Sequence, residues 1–336
     1  MTSLMAAEAA EAPDRIAEQS TRAAQAIAAI VADARARDVT LVAVCARGSS
    51  GHAATFAKYL FESRLGLPVF DFAPSLASLY GQAPGMGPQT LLLLISQSGG
   101  SPDLLAVAAA GRAKGALVVG LINAEGSPLA DACDHVIPLA AGPERSVAAT
   151  KSYLCSLSAI VRLAAAWRDD AALAAALAAT PDAMTAAWDR GADLVPALDH
   201  LSPVRIVLGR GLTFGAAGEV ALKLMETCGL IASAYSAAEF RHGPMAAAGP
   251  QTPVLALAPT DAAAAGVADL CQMLADRGAP VTRLACGEGG LPAAGDAALE
   301  PLILMSALYR AIEALSRKRG FDPDHPPALS KVTRTL

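Results

Sequence analysis

Three charged residues stand at helical spacing in a stretch that is otherwise almost wholly apolar. Glu219, Lys223 and Glu226 are four and then three residues apart, so a helix places all three on one face. A carboxylate held beside a lysine on a half-buried helix can serve as a base in proton transfer, because each charge shifts the pKa of the other. The alternative is a salt-bridge ladder on a solvated face, and both interpretations stay open.

Two further residues have side chains that suit sugar chemistry. His242 precedes a Gly-Pro pair, so its ring is positioned by a turn, and a neutral imidazole there could open a sugar ring by moving the anomeric proton. Lys331 follows a proline-stiffened stretch near the end of the sequence. If that tail docks, its amine is desolvated and can form a Schiff base with a carbonyl. The competing interpretations are a surface-loop histidine and a solvated terminal lysine.

Two turns of small residues have the composition of an anion site. Residues 96–101 read SQSGGS, after an apolar run of strand length and before a proline and an aspartate that suit a helix start. Because a helix N-terminus has unpaired N–H groups and partial positive charge, this turn favours a bound phosphate. Residues 47–52 read RGSSGH and also connect a predicted strand to a helix. Two such turns from one sheet could hold a single phosphate; ordinary helix caps are the alternative.

Composition argues against several classes of function. The SQSGGS turn contains no lysine, so it is not a nucleoside triphosphate loop of the Walker type. A net charge of -5 with 17% charged residues argues against broad binding to nucleic acid or anionic membranes. The six cysteines are scattered and never paired as C-x-x-C, so we expect no metal site, no disulfide framework and a reducing cytoplasmic location. The longest uncharged stretch, 72–102, is broken by glycine, proline and serine, so no membrane span is expected.

A scaffold must bring these turns and helix faces together, and the apolar runs predict one. Short apolar segments alternate with helical or loop segments in both halves, which is typical of an α/β chain with doubly wound parallel sheets. The predicted strands are residues 40–45, 68–72, 91–95, 116–122 and 135–138, then 205–208, 231–235, 253–258 and 280–284.

The two halves of the chain open alike, each with a strand, an Arg-Gly turn and a helix. The segments begin near residues 44 and 207, so they indicate an internal duplication with a period of about 160 residues, unless the similarity is chance. We predict five segments: a helical segment (1–38), a first domain (39–170), a helical connector (171–200), a second domain (201–320) and a tail (321–336). The first segment contains an amphipathic helix that begins at about residue 14. The connector is predicted to be interrupted at Pro181.

Seven sequence blocks, in order and covering nearly the whole chain, resemble the sugar isomerase (SIS) family. They are most similar to the isomerase portion of glucosamine-6-phosphate synthases and to stand-alone proteins with two SIS domains. The blocks are GSSGHA at 48–53, SQSGGSPD at 96–103, SVAATKSY at 146–153, GRG at 209–211, EVALKLMET at 219–227, AEFRHGPM at 238–245 and D-x-P-x-x-L-x-K at 324–331. The resemblance implies two tandem SIS domains, each a flavodoxin-like doubly wound parallel sheet flanked by helices.

The resemblance also implies roles for residues at matching positions. A sugar 6-phosphate would be held at its phosphate by Ser50, Ser96, Gln97, Ser98 and Ser101. Its other contacts would be Gly48, Ser49, Val147, Ala149 and Glu219. Glu226 would move a proton between C1 and C2, and Lys223 would orient that base or the open-chain hydroxyls. His242 would open the ring, and Lys331 would engage the carbonyl carbon. In similar enzymes the histidine loop comes from the neighbouring subunit, which implies a homodimer with a shared active site.

Several positions depart from the synthase pattern. No glutaminase domain with a nucleophilic cysteine precedes Ala12, so we do not expect glutamine to supply ammonia. The phosphate turn reads SQSGGSPD where synthases have SQSGETAD, as in stand-alone SIS proteins that deaminate amino-sugar phosphates, and Ala149 replaces a frequent serine. We therefore expect a cytoplasmic deaminase that converts glucosamine 6-phosphate to fructose 6-phosphate and ammonia without a cofactor. The alternatives are a phosphosugar-binding regulator without turnover and an aldose–ketose phosphosugar isomerase.

Overall fold

The computed structural model describes residues 2–331, and contacts divide them into two compact units. The first-sheet unit consists of residues 14–144 and 152–178. The second-sheet unit consists of residues 2–13, 145–151 and 179–331. Each unit is built around its own parallel β-sheet, so the α/β class and the two tandem parallel sheets predicted from the sequence are confirmed.

The first sheet has five parallel strands in the order β2-β1-β3-β4-β5. From the N-terminus to the last strand of this sheet, the elements are α1 (Leu4–Ala10), α2 (Ala12–Ala36), β1 (Leu41–Cys45), α3 (Gly48–Leu65), β2 (Val69–Asp71), α4 (Pro74–Ser78), β3 (Thr90–Ser96), α5 (Pro102–Ala113), β4 (Leu117–Ile122), α6 (Pro128–Ala132) and β5 (His135–Pro138). The central strand β3 is buried along its whole length, as an unbroken apolar run predicts for a parallel strand covered on both faces.

Strands β1 and β3 are neighbours, with Cys45 beside Leu94, and the chain leaves them in opposite directions across the sheet. This is the topological switch point, where doubly wound sheets usually bind ligands at the carboxyl ends of the strands. Helix α5 packs closely over β3, because a Cβ on Gly111 would lie 2.5 Å from Leu92. The turns after β1 and β3 are therefore held at one edge of the sheet.

The second sheet has four parallel strands in the order β7-β6-β8-β9, the same pattern as the first four strands of the first sheet. The remaining elements are α7 (Lys151–Arg168), α8 (Ala171–Arg190), α9 (Val195–Leu198), β6 (Val204–Gly209), α10 (Phe214–Cys228), β7 (Ile231–Ser236), α11 (Ala237–Phe240), β8 (Val254–Leu257), α12 (Ala264–Asp276), β9 (Val281–Leu284) and α13 (Glu300–Lys318). Short 3₁₀ helices cover Gly191–Leu194, Gly211–Thr213, Pro244–Ala247 and Ala297–Leu299. Helix α10 packs against both the sheet and α13.

All nine predicted strands are present within a few residues of their expected limits. The predicted interruption at Pro181 is wrong, because α8 runs through that residue from 171 to 190. A proline removes one backbone hydrogen bond from a helix. Burial of Leu177 before it and of Met184 after it compensates for that loss, so the helix continues. No helix among residues 2–331 is long and apolar enough to span a membrane.

Helix α1 was not separately predicted, because its stabilising partners lie far away in sequence. Ser3 caps it, with its hydroxyl accepting the N–H of Ala6 at 3.1 Å. The Asp324 carboxylate accepts the N–H groups of Leu4 and Met5 at 2.7 Å each. A carboxylate at a helix N-terminus is stabilising, but one that is 320 residues away leaves no local pattern.

Candidate active site

The turn after β3 is a compact loop stabilised by its own side chains. The buried Ser96 hydroxyl accepts the N–H of Gly99 at 3.0 Å. Gly99 has φ +60°, and a Cβ there would lie 2.0 Å from the Ser127 hydroxyl oxygen. Both the backbone angle and the close approach of Ser127 require glycine at this position. The turn therefore has one conformation that depends on Ser96 and Gly99.

The loop after β4, residues 123–129, determines which way the peptide groups of this turn face. The carbonyl oxygens of Ser96, Gln97 and Gly99 accept N–H groups of that loop at 3.2, 3.1 and 3.0 Å. In a trans peptide the next N–H points opposite to the carbonyl, so three N–H groups point away from the loop. They are those of Gln97, Ser98 and Gly100, of which the last donates to the Ser98 hydroxyl at 3.4 Å. Successive backbone N–H groups in a turn can form an anion-binding concavity, so this turn is a candidate for one.

Helix α5 starts directly after these N–H groups. Ser101 occupies its N-cap position, as predicted, but the hydroxyl makes no capping hydrogen bond. The first turn of a 12-residue helix adds partial positive charge at the same place. Gln97, Ser98 and Ser101 are all half-buried, whereas Ser96 is buried and already serves the turn. Ser96 is therefore positioned to shape the site more than to face a ligand.

An ion pair joins the turn after β1 to the start of α5. Arg47 is the N-cap residue of α3, and its Nε and one terminal nitrogen both lie 2.9 Å from the fully buried Asp103 carboxylate. Gly48 next to it has φ +54°, and Ser49 and Ser50 are half-buried in the first turn of α3. The structure thus brings the two predicted phosphate turns together. Sequence reasoning missed Arg47 and Asp103 as the tie between them.

The three charged residues of α10 form a buried ladder. The Lys223 ammonium lies 2.5 Å from Glu226 Oε2 and 3.5 Å from Glu219 Oε1. The side chains of Glu219 and Lys223 are 0% and 1% exposed, and that of Glu226 is 21% exposed. The solvated-ladder interpretation is therefore wrong. The ammonium thus lies between two carboxylates, and that of Glu226 is the one that solvent can reach.

A fourth group completes this ladder from another helix. The Tyr309 hydroxyl on α13 donates to Glu219 Oε1 at 2.9 Å, and Tyr309 is fully buried. Tyr309 lies 90 residues after Glu219 in the sequence, so no local pattern could indicate this contact.

His242 lies in the turn after α11 and is exposed. Its backbone N–H donates to the Glu239 carbonyl at 2.9 Å, and Gly243 follows with φ +141°. The turn, and not a helix face, therefore presents the ring, as predicted. Lys331 is half-buried and is the last residue that the structure describes. The predicted docking of the tail has support at Asp324, which binds α1.

The segment 145–151 carries the predicted contacts Val147 and Ala149, both half-buried. The buried Glu8 carboxylate accepts the N–H of Arg145 at 2.6 Å and of Ser146 at 3.2 Å. The buried Lys151 pairs with Glu11 at 2.8 Å. Residues before position 12 therefore anchor this segment. Among residues 2–331, no cluster of three His, Cys, Asp or Glu side chains could hold a metal ion.

A doubly wound sheet with a glycine- and serine-lined turn at its switch point defines a class of α/β proteins that bind ligands at that edge. Within this class, the sequence model of the SIS domain matches residues 37–166 and 203–299. The chain therefore belongs to the SIS domain family.

Similarity to individual proteins agrees with this assignment. The chain is 32% identical over 316 residues to glutamine–fructose-6-phosphate aminotransferase (isomerizing) of Brucella abortus biovar 1 (strain 9-941), covering 87% of this chain and 52% of that protein. It thus spans about half the length of the curated relatives it matches.

Two solved structures are also similar. A candidate phosphosugar isomerase from Silicibacter pomeroyi DSS-3 is 38% identical, with a TM-score of 0.88 over 96% of this chain and 100% of that one. The C-terminal domain of glucosamine-fructose-6-phosphate aminotransferase from Francisella tularensis has a TM-score of 0.87 over 97% and 99% of the two chains. At 22% identity the second likeness shows the fold alone.

Proposed function

We propose that this protein is an isomerising amino-sugar-6-phosphate deaminase that converts glucosamine 6-phosphate to fructose 6-phosphate and ammonia. The broader activity, isomerisation of a sugar phosphate, is supported by a relative named as an isomerizing aminotransferase and by the similar structure described as a candidate phosphosugar isomerase. The deaminase assignment rests on the SQSGGSPD turn and on the buried ladder of α10.

The phosphate group of the substrate binds at the switch point of the first sheet. The N–H groups of Gln97 and Ser98, the dipole of α5 and the hydroxyls of Ser50, Ser98 and Ser101 supply donors for its oxygens. The guanidinium of Arg47 adds positive charge close to this turn, because its side chain is half-exposed while it pairs with Asp103. This donor set explains how an acidic protein attracts an anionic ligand.

The chemical step begins once His242 has opened the ring by moving the anomeric proton. Glu226 removes the proton from C2, and the electron pair of that bond forms a C1–C2 double bond while the aldehyde oxygen takes a proton. Glu226 then returns its proton to C1, which leaves an imine at C2. Lys223 orients the Glu226 carboxylate for the first step and provides charge for the second.

Hydrolysis completes the reaction. Water adds to C2 of the imine, the C–N bond breaks, and the nitrogen leaves as ammonia after taking a proton, so C2 becomes the carbonyl of fructose 6-phosphate. Lys331 engages C2 during this exchange. No external oxidant or reductant is needed, because the aldose and the ketose are isomers at the same oxidation level.

One observation carries this proposal: a half-buried carboxylate, Glu226, lies 2.5 Å from an ammonium that is almost completely buried. A general base must be reachable and held in place, and this pair provides both properties. The free cysteines suit the reducing cytoplasm in which we place the activity.

The decisive assay measures ammonia and ketose phosphate released from a panel of amino-sugar 6-phosphates and from the matching non-amino sugars. We expect stoichiometric ammonia and fructose 6-phosphate from glucosamine 6-phosphate. Aldose–ketose conversion of non-amino sugars alone would identify a simple isomerase. Binding of sugar phosphates without any product would identify a regulator, and both results would refute the deaminase proposal.

We further propose a homodimer in which His242 acts in the neighbouring subunit's site, since its turn is exposed at the surface of the chain. Glu226→Gln and His242→Ala should each be inactive alone. After unfolding together and refolding, half of the dimers are mixed and half of their sites are intact, so about a quarter of wild-type activity should return. Failure of the mixture to exceed either variant would place His242 in its own subunit's site.

A further inference from the structure

We propose that Tyr309 is a positioning residue for the base Glu226, acting through Glu219 and Lys223. This inference rests on the proposed function, because it assigns a role within the same proton transfer. Tyr309 lies on α13, outside every block that resembles the SIS family.

The geometry forms an unbroken series of polar contacts. The Tyr309 hydroxyl donates to Glu219 Oε1 at 2.9 Å, and the same carboxylate oxygen lies 3.5 Å from the Lys223 ammonium. Lys223 in turn lies 2.5 Å from Glu226 Oε2. Every member except Glu226 is almost completely buried, so water does not screen these interactions. A change at Tyr309 therefore alters the electrostatic surroundings of Glu226.

The energetics indicate what the phenol does. Lys223 is shared by two carboxylates, and its position between them depends on how well each is satisfied by other donors. The Tyr309 hydroxyl donates a hydrogen bond to Glu219 and so balances part of its charge. Lys223 therefore lies closer to Glu226, at 2.5 Å, than to Glu219, at 3.5 Å. Without that hydroxyl, Glu219 would draw the ammonium toward itself. Glu226 would then lose the cation that orients its carboxylate.

A merely structural role is the competing explanation, because a buried phenol needs a hydrogen-bond acceptor in any protein. The two explanations differ in what Tyr309→Phe changes. A structural role lowers stability and leaves the contact between Lys223 and Glu226 unchanged. A positioning role lengthens that contact and slows proton abstraction, while sugar-phosphate binding stays the same.

Ser306→Ala provides a matched control on the same helix. Ser306 is also buried, and its hydroxyl donates to the Leu302 carbonyl of α13 at 2.9 Å, its one hydrogen bond to a side chain or backbone group of residues 2–331. This variant removes one buried hydroxyl without touching the ladder.

The experiment compares steady-state kinetics of wild type, Tyr309→Phe and Ser306→Ala on glucosamine 6-phosphate with hydrogen or deuterium at C2. For Tyr309→Phe we expect kcat to fall about tenfold, KM to stay within about twofold, and the deuterium isotope effect on kcat to rise, since proton abstraction becomes more rate-limiting. Ser306→Ala should behave as wild type. An unchanged kcat and isotope effect in Tyr309→Phe would overturn the inference.

Crystal structures of ligand-free wild type and Tyr309→Phe test the same inference without turnover. We expect the Lys223–Glu226 contact to lengthen beyond about 3.5 Å in the variant, outside hydrogen-bonding range. A contact that stays below about 3 Å would refute the positioning role. If wild type proves inactive on every amino-sugar phosphate, the proposed function fails, and the crystallographic comparison alone decides on Tyr309.

Discussion

The turn after β3 and the turn after β8 occupy equivalent places in two sheets of the same strand order. They differ in which of their polar groups are hydrogen-bonded within the protein. In the first sheet, the carbonyl oxygens are bonded to the loop 123–129, and the N–H groups of the turn face away from it. In the second sheet, Thr260 donates its N–H at 3.2 Å, and also its hydroxyl, to the Glu300 carboxylate. Glu300 is 1% exposed.

This difference shows how one topology serves two purposes. We propose that the first sheet leaves its donors for an anionic ligand, whereas the second fills the equivalent position with the carboxylate of Glu300. The charged groups that we propose for proton transfer lie instead along α10. We infer that the protein binds one phosphate per chain, at the first sheet, and that the second sheet supplies acid–base groups.

The largest effect should follow from Gly99→Ala, which disturbs the donor-bearing turn. A Cβ at φ +60° would overlap the Ser127 hydroxyl, so we expect the free energy of unfolding to fall by about 2–4 kcal/mol. Gly100→Ala is the control, because its Cβ would meet nothing closer than 4.0 Å, and the loss should stay below about 1 kcal/mol. Urea unfolding measures both. Equal losses would show that the turn is not tightly packed.

Ser98→Ala and Thr260→Val should separate binding from stability. Loss of the Ser98 hydroxyl should raise KM for the sugar phosphate about tenfold and leave stability nearly unchanged, since that donor serves a charged ligand. Loss of the Thr260 hydroxyl leaves Glu300 underbonded, so stability should fall by about 1–3 kcal/mol with KM unchanged. Steady-state kinetics and urea unfolding on both variants test whether one substitution changes KM alone and the other changes stability alone. A raised KM in Thr260→Val would contradict it.

The smallest expected effect concerns the pH dependence of stability. Burial raises the pKa of Glu300 above its usual value of 4.5, and the hydrogen bonds from Thr260 oppose this only in part. In the native state the group therefore holds its proton to higher pH than in the unfolded state, so it lowers stability as pH rises above about 4.5. Relative to wild type, Glu300→Gln should gain stability over that range. A difference between the two that does not change with pH would contradict this prediction.

Much of the fold could be predicted because its signals are local. Each strand is a short apolar run bounded by turn residues, and Ser101 marks the start of α5 in the sequence itself. The spacing of Glu219, Lys223 and Glu226 correctly placed them on one helix face.

What the sequence could not show depends on contacts between distant residues. The burial of the ladder follows from the packing of α13 on α10, and Tyr309 reaches it across 90 residues. The direction of the N–H groups in the phosphate turn depends on the loop 123–129, and α1 depends on Asp324. In each case the decisive partner lies outside any window in which periodicity or capping can be recognised.

We propose that Glu226 is the base of the reaction, and the Glu226→Gln variant shows whether it is. The substitution keeps the size of the side chain and removes its charge, so we expect turnover of glucosamine 6-phosphate to fall by at least about 10³-fold. Affinity for the sugar phosphate, measured by calorimetry, should stay within about threefold, because its phosphate is held elsewhere.

Glu313→Gln is the control, a buried carboxylate of α13 that pairs with Arg317 and Ser3 outside the ladder, and it should retain activity. Loss of turnover with retained affinity in Glu226→Gln alone is the result predicted here. Wild-type turnover in that variant would contradict the assignment of the base.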